Sequence, residues 1–229
     1  MAEQTPETLN HFCVAAFTPV YWQLPPETRR SVRSRWLDPL RCSTDALHLY
    51  QLAALEPGSD LLLWSACRDA SPESTARFFA QFAGALAPVR PYVELRETLW
   101  GYTRPSPYTR VRSAQELDPF GPARQPFLIA YPFVKTGAWY QLDREARQQL
   151  MAGHIKVGNQ YKEISQLLLY SVGLQDQEFV VVYETGDPRR FLALVSELRG
   201  TEARLYTQRD WPLHAGRYVP SVDDLDGWL

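Results

Sequence analysis

The chain has 229 residues, of which 45% are hydrophobic and 22% charged, and its formal net charge at pH 7 is -2. This composition fits an ordinary globular protein, and it excludes a strongly acidic disordered chain and a broadly basic nucleic-acid binder. Only three of the 24 cationic residues are lysines, namely Lys135, Lys156 and Lys162. Each lysine is therefore worth weighing as a candidate for a specific role.

Cysteine spacing and the N-terminal sequence bear on metal binding and on location. Cys13, Cys42 and Cys67 lie far apart, and no CxxC or Cys/His cluster surrounds them, so we expect reduced thiols and no zinc site. The first residues lack the basic and apolar regions of a secretory signal peptide. No apolar run approaches the ~18 residues that a membrane-spanning helix needs. We therefore expect a cytoplasmic protein.

The first half of the chain alternates predicted strands and helices. Runs rich in β-branched and aromatic residues predict strands, and proline in a first turn or a serine cap predicts the start of a helix. In chain order these are a strand over Phe12–Leu24, a helix from Pro25 to about Leu40, strands over Ala46–Leu55 and Asp60–Arg68, a helix from Ser71 to about Leu86, and a strand over Val93–Thr103.

The second half repeats this order at an offset of 118 residues. Thr18–Leu24 reads T-P-V-Y-W-Q-L, and Thr136–Leu142 reads T-G-A-W-Y-Q-L. A repeated motif at half the chain length is the signature of a duplicated unit. The predicted elements are a strand over Phe127–Leu142, a helix over Asp143–Tyr161, strands over Ile164–Leu174 and Glu178–Thr185, a helix over Asp187–Arg204 and a strand over Leu205–Val219.

Each half therefore has the order βαββαβ, which is typical of a ferredoxin-like unit. We predict an α+β fold in which two antiparallel sheets pack their open faces together as a dimeric α+β barrel. The predicted domains are an N-terminal half over 1–103, a linker rich in proline and arginine over 104–126, and a C-terminal half over 127–229. A linker of this length is either functional or merely solvated, and its composition leaves both open.

His154 is the first candidate functional residue. It lies in the helix predicted to begin at Asp143, on the same apolar face as Leu150 and Val157. A histidine on an apolar face is more often a packed residue than a ligand. The repeat, however, places Trp36 at the corresponding position of the first half. The fold does not need a histidine there, which favours a functional role.

Tyr131 and Lys135 form the second candidate pair. Strand alternation places Tyr131, Phe133 and Lys135 on one face of the predicted strand. A half-exposed strand with Lys135 extending to solvent explains the same pattern. The spacing alone favours that ordinary interpretation.

Several motifs in the second half occur in a familiar order. They are Tyr131-Pro-Phe-Val-Lys-Thr, Trp139-Tyr-Gln-Leu, His154-Ile-Lys-Val-Gly, Tyr170-Ser-Val-Gly-Leu-Gln-Asp-Gln-Glu-Phe and Thr201-Glu-Ala-Arg. This series resembles the chlorite dismutase / coproheme decarboxylase family over residues 106–217, and the first half resembles it only in its order of elements. The family has two ferredoxin-like halves per subunit, and members of this length are typically homopentamers. The resemblance thus implies a homopentamer that binds an iron porphyrin.

The resemblance implies a role for His154 as the proximal ligand of a haem iron. A neutral imidazole suits that role, and an acceptor for its second nitrogen would orient it. Glu202 is similar to the residue that supplies this acceptor in many members. The implied bound molecule is haem or its precursor Fe-coproporphyrin III (coproheme).

In the coproheme decarboxylases that the chain resembles, a tyrosine beside a propionate becomes a radical after hydrogen peroxide oxidises the iron. Tyr131 matches that tyrosine, and two propionates would become vinyl groups, giving haem b. Lys135 would hold a propionate carboxylate. The resemblance also assigns Arg112, then Arg110, to a propionate, because a guanidinium binds a carboxylate in a bidentate manner. Trp139 is the further porphyrin-binding residue that it implies.

The distal side departs from the family pattern. Chlorite dismutases carry a distal arginine shortly after the proximal histidine, but no arginine lies between Arg147 and Arg189 here, and Gln166 or Leu167 stands at that position. Efficient chlorite decomposition is therefore not expected. Some coproheme decarboxylases use a distal glutamine, and others a linker histidine, which Ala114 replaces here.

Three hypotheses remain at the level of sequence. The first is peroxide-dependent decarboxylation of coproheme in haem biosynthesis. The second is a haem-binding or haem-transfer protein, or a weak peroxidase, of the same family without efficient turnover, which the missing distal base favours. The third is a structural duplex in which His154 is merely packed, and the contrast with Trp36 argues against it.

Overall fold

A computed structural model of the protein describes residues 7–108 and 115–229. Short loops join most of its strands and helices, and three 3-10 helices lie at Ala87–Val89, Glu202–Tyr206 and Val222–Gly227. The first half contains β1 (Leu9–Phe17), α1 (Pro19–Trp22), α2 (Pro26–Ser43), β2 (Ala46–Gln51), β3 (Leu61–Cys67), α3 (Pro72–Leu86) and β4 (Val93–Thr103). The second contains β5 (Phe127–Lys135), α4 (Gly137–Gln141), α5 (Arg144–Gly158), β6 (Ser165–Tyr170), β7 (Phe179–Thr185), α6 (Pro188–Arg199), β8 (Thr207–Arg209) and β9 (His214–Val219).

The two halves have the same strand order. The first is ordered β4-β1-β3-β2 and the second β9-β5-β7-β6, so equivalent strands occupy equivalent places. Pairings of β4 with β6 and of β2 with β9 join the halves, and all pairings around the resulting closed ring of eight strands are antiparallel. The predicted α+β class is confirmed. Because one ring contains strands of both halves, the halves share a single hydrogen-bonded sheet.

The repeated seven-residue motif is a short helix in both halves, not the end of a strand. The strand predicted over Phe12–Leu24 ends at Phe17, and that predicted over Phe127–Leu142 ends at Lys135. Thr18 then caps α1 by accepting a hydrogen bond from the Tyr21 amide at 3.4 Å. Aromatic residues misled the prediction, because they are buried for packing whether the backbone is extended or helical.

The last quarter of the chain contains more separate secondary-structure elements than predicted. The helix expected to continue to Arg204 ends at Arg199, where Gly200 follows as the C-cap. The strand expected over Leu205–Val219 is a 3-10 helix followed by β8 and β9, with a cis Trp211–Pro212 bond between these strands. Proline has no backbone N–H to donate to a ladder, which explains why the strand is interrupted there.

Hydrophobic side chains fill the ring and also cover its outer surface. The inner core includes Phe12, Leu62, Trp64, Leu128 and Val182, which come from both halves. A separate core lies between the first-half sheet and the helices α2 and α3. In the described part of the chain, no helix combines the length and the apolar character needed to cross a bilayer.

The described end of the linker is packed against the second half. Leu117 is only 4% exposed. The Gln115 side chain donates to the carbonyl oxygens of Tyr161 at 2.8 Å and Ile164 at 3.2 Å, just beyond α5. Arg124 is buried beside Glu184, with 3.5 Å between the guanidinium and the carboxylate. This part of the linker is therefore not a solvated spacer.

His214 links the second half to the first and is expected to make stability depend on pH. Its Nδ1 lies 2.8 Å from Glu56 and its Nε2 lies 2.7 Å from Glu97. Burial lowers the pKa of His214, but the hydrogen bonds and charges of Glu97 and Glu56 outweigh burial, so the pKa is raised above 6.5. A raised pKa in the fold means that stabilisation is complete below the unfolded value and is lost as pH rises through the folded value.

We therefore expect the free energy of unfolding in urea to fall as the pH rises from about 6 to about 8, which brackets the reference value for histidine. The variant His214→Gln removes the titrating group, so its free energy of unfolding should change less over the same interval. Equal slopes for the variant and the wild-type chain would show that this contact does not stabilise the fold.

Candidate functional site

The two equivalent helices α2 and α5 pack very differently. In α2 five side chains are buried, namely Val32, Arg33, Trp36, Leu37 and Leu40. In α5 none is buried. The main contacts of α5 are with α6 and with the 3-10 helix Glu202–Tyr206. The duplicated fold thus keeps the helix in the second half but leaves its inner face only partly buried.

We infer a candidate cleft between α5 and the outer face of the strands β5, β6 and β7. The charge of Lys135 on β5 acts on His154 of α5, and strand alternation assigns Tyr131 of β5 and Gln166 and Leu168 of β6 to the same outer face. On β6 the outer residues are open, since Gln166 is exposed and Leu168 is 43% exposed. An apolar leucine left open beside buried polar groups is typical of a ligand-binding cleft.

His154 presents a neutral imidazole to this cleft. Burial, and then the positive charge of Lys135, lower the pKa of His154 to about 4. In residues 7–108 and 115–229, no group forms a hydrogen bond with its ring nitrogens. The corresponding Trp36 is fully buried. A neutral imidazole with a free lone pair is suited to bind a transition metal.

Lys135 is a half-buried cation, and its backbone amide donates to the Glu178 carboxylate at 2.7 Å. Its Nζ lies 4.2 Å from the ring centre of Trp139 and 5.1 Å from that of Phe133. Burial lowers its pKa to about 8, although the nearby charge of Glu178 opposes this. Among the described residues no carboxylate forms an ion pair with it. Such a cation is suited to bind an anionic group from outside the protein.

The prediction that Tyr131, Phe133 and Lys135 share one face of β5 agrees with the contact between Lys135 and Phe133. Tyr131 packs against a small outer cluster of Tyr161, Ile164, Tyr183 and Leu194. Burial, and then the neighbouring Tyr183, raise the pKa of Tyr131 well above 10. The phenol therefore keeps its proton at neutral pH.

The distal prediction named Gln166 or Leu167, and the structure separates the two. Leu167 is 5% exposed and belongs to the core inside the ring, so it does not reach the cleft. Gln166 is opposite Tyr183 in the β6–β7 register and lies on the outer face. Because neighbouring strand residues point to opposite faces, only one of the pair could line the cleft.

The remaining predicted site residues are Glu202, Trp139, Arg110 and Arg112. Glu202 is exposed at the start of a 3-10 helix beside α5, and it forms no hydrogen bond with His154. Trp139 is 4% exposed and lies under the Lys135 ammonium, so it supports that side chain. Arg110 and Arg112 lie outside the described residues, as does Ala114.

A separate surface cavity of about 410 Å³ lies beside α5 but contains none of the cleft residues. It is lined by Tyr108, Gln148, Ala152, Ile155, Lys156 and Asn159. These helix positions are on the side away from His154. The cavity is therefore distinct from the cleft.

Sequence reasoning did not single out Tyr183. Alternation along β7 places Tyr183 and Val181 on the outer face, because Val180 and Val182 belong to the inner core. This alternation could be recognised in the sequence. The register between β5 and β7, which sets Tyr183 opposite Ile129 and therefore close to Tyr131, could not.

Comparison with known proteins identifies the family. A family model described as chlorite dismutase matches residues 20–219. The chain belongs to the chlorite dismutase family. Within this family it is 24% identical over 182 residues to the coproheme decarboxylase of Mycolicibacterium smegmatis, which covers 77% of this chain and 74% of that protein. It is 33% identical over 155 residues to the coproheme decarboxylase of Staphylococcus saprophyticus, which covers 63% of this chain and 62% of that protein.

The fold of this chlorite dismutase family member also matches solved structures. The chlorite dismutase of Candidatus Nitrospira defluvii in complex with imidazole superposes with a TM-score of 0.82 at 22% identity, over 99% of this chain and 96% of that one. At this identity the likeness establishes the fold. The chain spans 62% of the length of the staphylococcal relative, so the likeness in sequence does not extend over that whole protein.

Lys135→Met is expected to weaken porphyrin binding. The substitution keeps an unbranched side chain over Trp139 but removes the charge that would bind a propionate carboxylate. A hydrogen bond to a charged group contributes about 1.5–3 kcal/mol, so the dissociation constant for coproheme should rise about ten- to hundredfold. Titration of the porphyrin absorbance measures it. Lys135→Arg keeps the charge and should bind more tightly than Lys135→Met; equal affinities for both variants would contradict the assignment.

Proposed function

We propose that the chain is a coproheme decarboxylase of haem biosynthesis, which converts two propionates of coproheme to vinyl groups with hydrogen peroxide as oxidant. The observation that supports this proposal is that the charge of Lys135 on β5 acts on His154 of α5, while Tyr131 lies on the same strand as Lys135. The relatives named coproheme decarboxylase support it. The family resemblance alone would fit a chlorite-decomposing enzyme equally well.

The residues of the cleft fit an iron porphyrin. The inner face of α5 is only partly buried, whereas the equivalent α2 has five fully buried side chains, and this difference supports a ligand beside α5. His154 would bind the iron through its neutral imidazole, and Lys135 would bind one propionate carboxylate. After oxidation by peroxide, the bound porphyrin supplies the oxidising equivalents for the reaction.

Tyr131 would transfer an oxidising equivalent from the iron to the propionate. Its phenol loses one electron and one proton, and the resulting tyrosyl radical takes a hydrogen atom from the propionate. The substrate then loses a second electron and releases carbon dioxide, which leaves a vinyl group. For each propionate two electrons are removed, and one hydrogen peroxide accepts them with two protons to give two waters.

The raised pKa of Tyr131 is suited to this role. A phenol that stays protonated at neutral pH gives up a proton as well as an electron when it becomes a radical. Lys135 would fix the propionate beside it, and holding reactants in contact accounts for a large part of most enzymatic rate enhancements.

The distal side favours decarboxylation over chlorite chemistry. Of the two residues that the resemblance sets against the arginine of chlorite dismutases, Gln166 is the outer-facing one, and an uncharged amide would not stabilise an anionic oxidant as a guanidinium does. The same lack of a charged group supports a second candidate function, a haem-binding or haem-transfer protein without efficient turnover. Arg112 and Arg110 are proposed as further propionate ligands.

Assembly and location belong to the same proposal. We propose a homopentamer, as the family resemblance implies, and a cytoplasmic location. Large exposed apolar side chains support association, among them Leu192 at 68%, Leu205 at 79% and Trp211 at 62% exposure. Exposed apolar surface of this kind commonly marks contacts between subunits.

Peroxide titration of the coproheme complex tests the function. Purified protein is loaded with coproheme, peroxide is added in steps, and the porphyrin is analysed by mass spectrometry. Loss of two carboxyl groups, with consumption of one peroxide for each, supports the decarboxylase. Tight binding with an unchanged porphyrin mass would overturn it in favour of the haem-binding protein.

A further inference from the structure

The connection between β6 and β7 contains a motif, residues 170–179, that none of the steps above uses. Its side chains hold it against β4 of the first half. The Ser171 hydroxyl donates to the carbonyl oxygen of Trp100, and the Gln175 side chain accepts from the Trp100 amide at 3.2 Å. The last residue before β7 is Glu178. Its place is therefore fixed by a connection that contacts both halves.

Glu178 joins this connection to the end of β5. The ladder between β5 and β7 ends at the pair of Phe133 with Phe179. Beyond that pair, the Glu178 amide donates to the Phe133 carbonyl oxygen at 3.1 Å, and the Glu178 carboxylate accepts from the Lys135 amide at 2.7 Å. A side-chain oxygen thus takes the place that a backbone carbonyl would have if the ladder continued.

The backbone of Lys135 depends on this contact because no regular ladder holds it. Lys135 is the last residue of β5, and its pairing with Thr207 of β8 follows an irregularity of register between Val134 and Lys135. Residues two apart on a strand direct their N–H groups to the same edge, so the Lys135 amide points to the β7 side, as that of Phe133 does. On that side the acceptor is the Glu178 carboxylate.

The Lys135 side chain extends from this backbone across buried aromatic rings. Its Nζ lies 4.2 Å from the ring centre of Trp139, which is 4% exposed. The direction of a side chain is set where it leaves the backbone, so a shift of the backbone at Lys135 also moves the ammonium. The charge of Glu178 acts in the same sense, since it favours the charged form of Lys135.

We propose that Glu178 is a positioning residue for Lys135, whose carboxylate fixes the backbone from which the Lys135 ammonium reaches into the candidate cleft. This inference rests on the proposed binding of a propionate by Lys135. A displacement of about 1 Å at a group that holds a substrate can cost about 10²-fold in rate, so a small shift of the ammonium would be measurable.

The test compares Glu178→Leu with Glu178→Gln. Leucine removes the acceptor of the Lys135 amide, whereas glutamine keeps a side-chain oxygen that can accept from it. We expect the dissociation constant for coproheme to rise roughly 3- to 30-fold in Glu178→Leu, because part of a charge-assisted hydrogen bond is lost, and to lie closer to the wild-type value in Glu178→Gln. The matched control is Asp176→Leu. It removes an exposed carboxylate from the same connection and should bind coproheme as the wild type does.

A double-mutant cycle separates positioning from a general effect on the fold. In the Lys135→Met background no ammonium remains to be positioned, so Glu178→Leu should change the dissociation constant by less than about twofold. Absorbance titration of the four proteins measures the coupling. Equal losses in both backgrounds would show that Glu178 acts on the cleft as a whole, and the positioning role would be overturned.

A second readout needs no porphyrin. Hydrogen–deuterium exchange of the substrate-free protein is followed in a peptide that contains Lys135. The Lys135 amide should be protected in the wild type and in Glu178→Gln, and it should exchange roughly fivefold faster in Glu178→Leu, in line with the loss of one ordinary hydrogen bond. An unprotected amide in the wild type would overturn the inference, and this measurement stands even if Glu178→Leu folds poorly.

The outcomes separate this inference from the proposed function. If Lys135→Met weakens binding of coproheme but Glu178→Leu does not, the positioning role is overturned and the binding of a propionate by Lys135 stands. If Lys135→Met binds coproheme as tightly as the wild type, the proposed role of Lys135 fails, and the inference about Glu178 fails with it.

Discussion

Replacing Tyr131 by phenylalanine is expected to stop the decarboxylation of coproheme while the porphyrin still binds. The variant keeps the ring in its cluster with Tyr161 and Tyr183 but has no hydroxyl to give up an electron and a proton. Removing a group that takes part in proton transfer costs roughly 10²–10⁴-fold in rate. The measurement is the yield of vinyl product per added peroxide, by mass spectrometry, with the dissociation constant for coproheme determined on the same sample.

The control for this variant is Tyr161→Phe, because Tyr161 is buried in the same cluster and its hydroxyl is hydrogen-bonded to Glu197 rather than facing the cleft. It should give the wild-type yield. A Tyr131→Phe protein that produces vinyl groups at the wild-type rate would remove Tyr131 from the mechanism. The reaction would then have to use another oxidisable side chain.

His154→Ala is expected to change the iron coordination and to weaken binding of coproheme. His154 is the described residue of the cleft with a neutral nitrogen free to bind the metal. Loss of an outer partner of a metal ligand costs 10–100-fold in affinity, so loss of the ligand itself should cost more than about tenfold. Absorbance spectra of the ferric complex and a binding titration measure the two effects.

Added imidazole provides a direct check on this variant. Because alanine leaves a gap where the ring was, free imidazole should restore the wild-type spectrum in His154→Ala. Lys156→Ala is the matched control, since Lys156 is exposed on the same helix and lines the separate cavity on its other side. An unchanged ferric spectrum in His154→Ala, with no response to imidazole, would show that another residue binds the iron.

The duplication was the feature that the sequence revealed best. The match between Thr18–Leu24 and Thr136–Leu142 marks equivalent elements of the two halves, and it correctly pairs Trp36 with His154 on equivalent helices. What the match could not give was the type of the element, because buried aromatic residues occur in strands and short helices alike. The α+β class followed from the order of elements, which depends little on exact boundaries.

The cleft was predictable only in part. Alternation on β5 was enough to place Tyr131 and Phe133 on one face, and Lys135 contacts the Phe133 ring although the register is irregular between Val134 and Lys135. Gln166 and Leu167 could not be separated without knowing which face of β6 is outward, which is set by pairing with β7. Tyr183 was missed for the same reason, because its contact with Tyr131 arises from the register between two strands. The partly buried inner face of α5 is likewise a property of packing between elements.

A crystal structure of the protein with coproheme is the most direct test of the account. We expect the iron to be bound by the imidazole of His154, one propionate carboxylate to lie against the Lys135 ammonium, and a propionate chain to contact the Tyr131 hydroxyl. A porphyrin bound away from the cleft, or one whose iron has no bond to His154, would contradict the account.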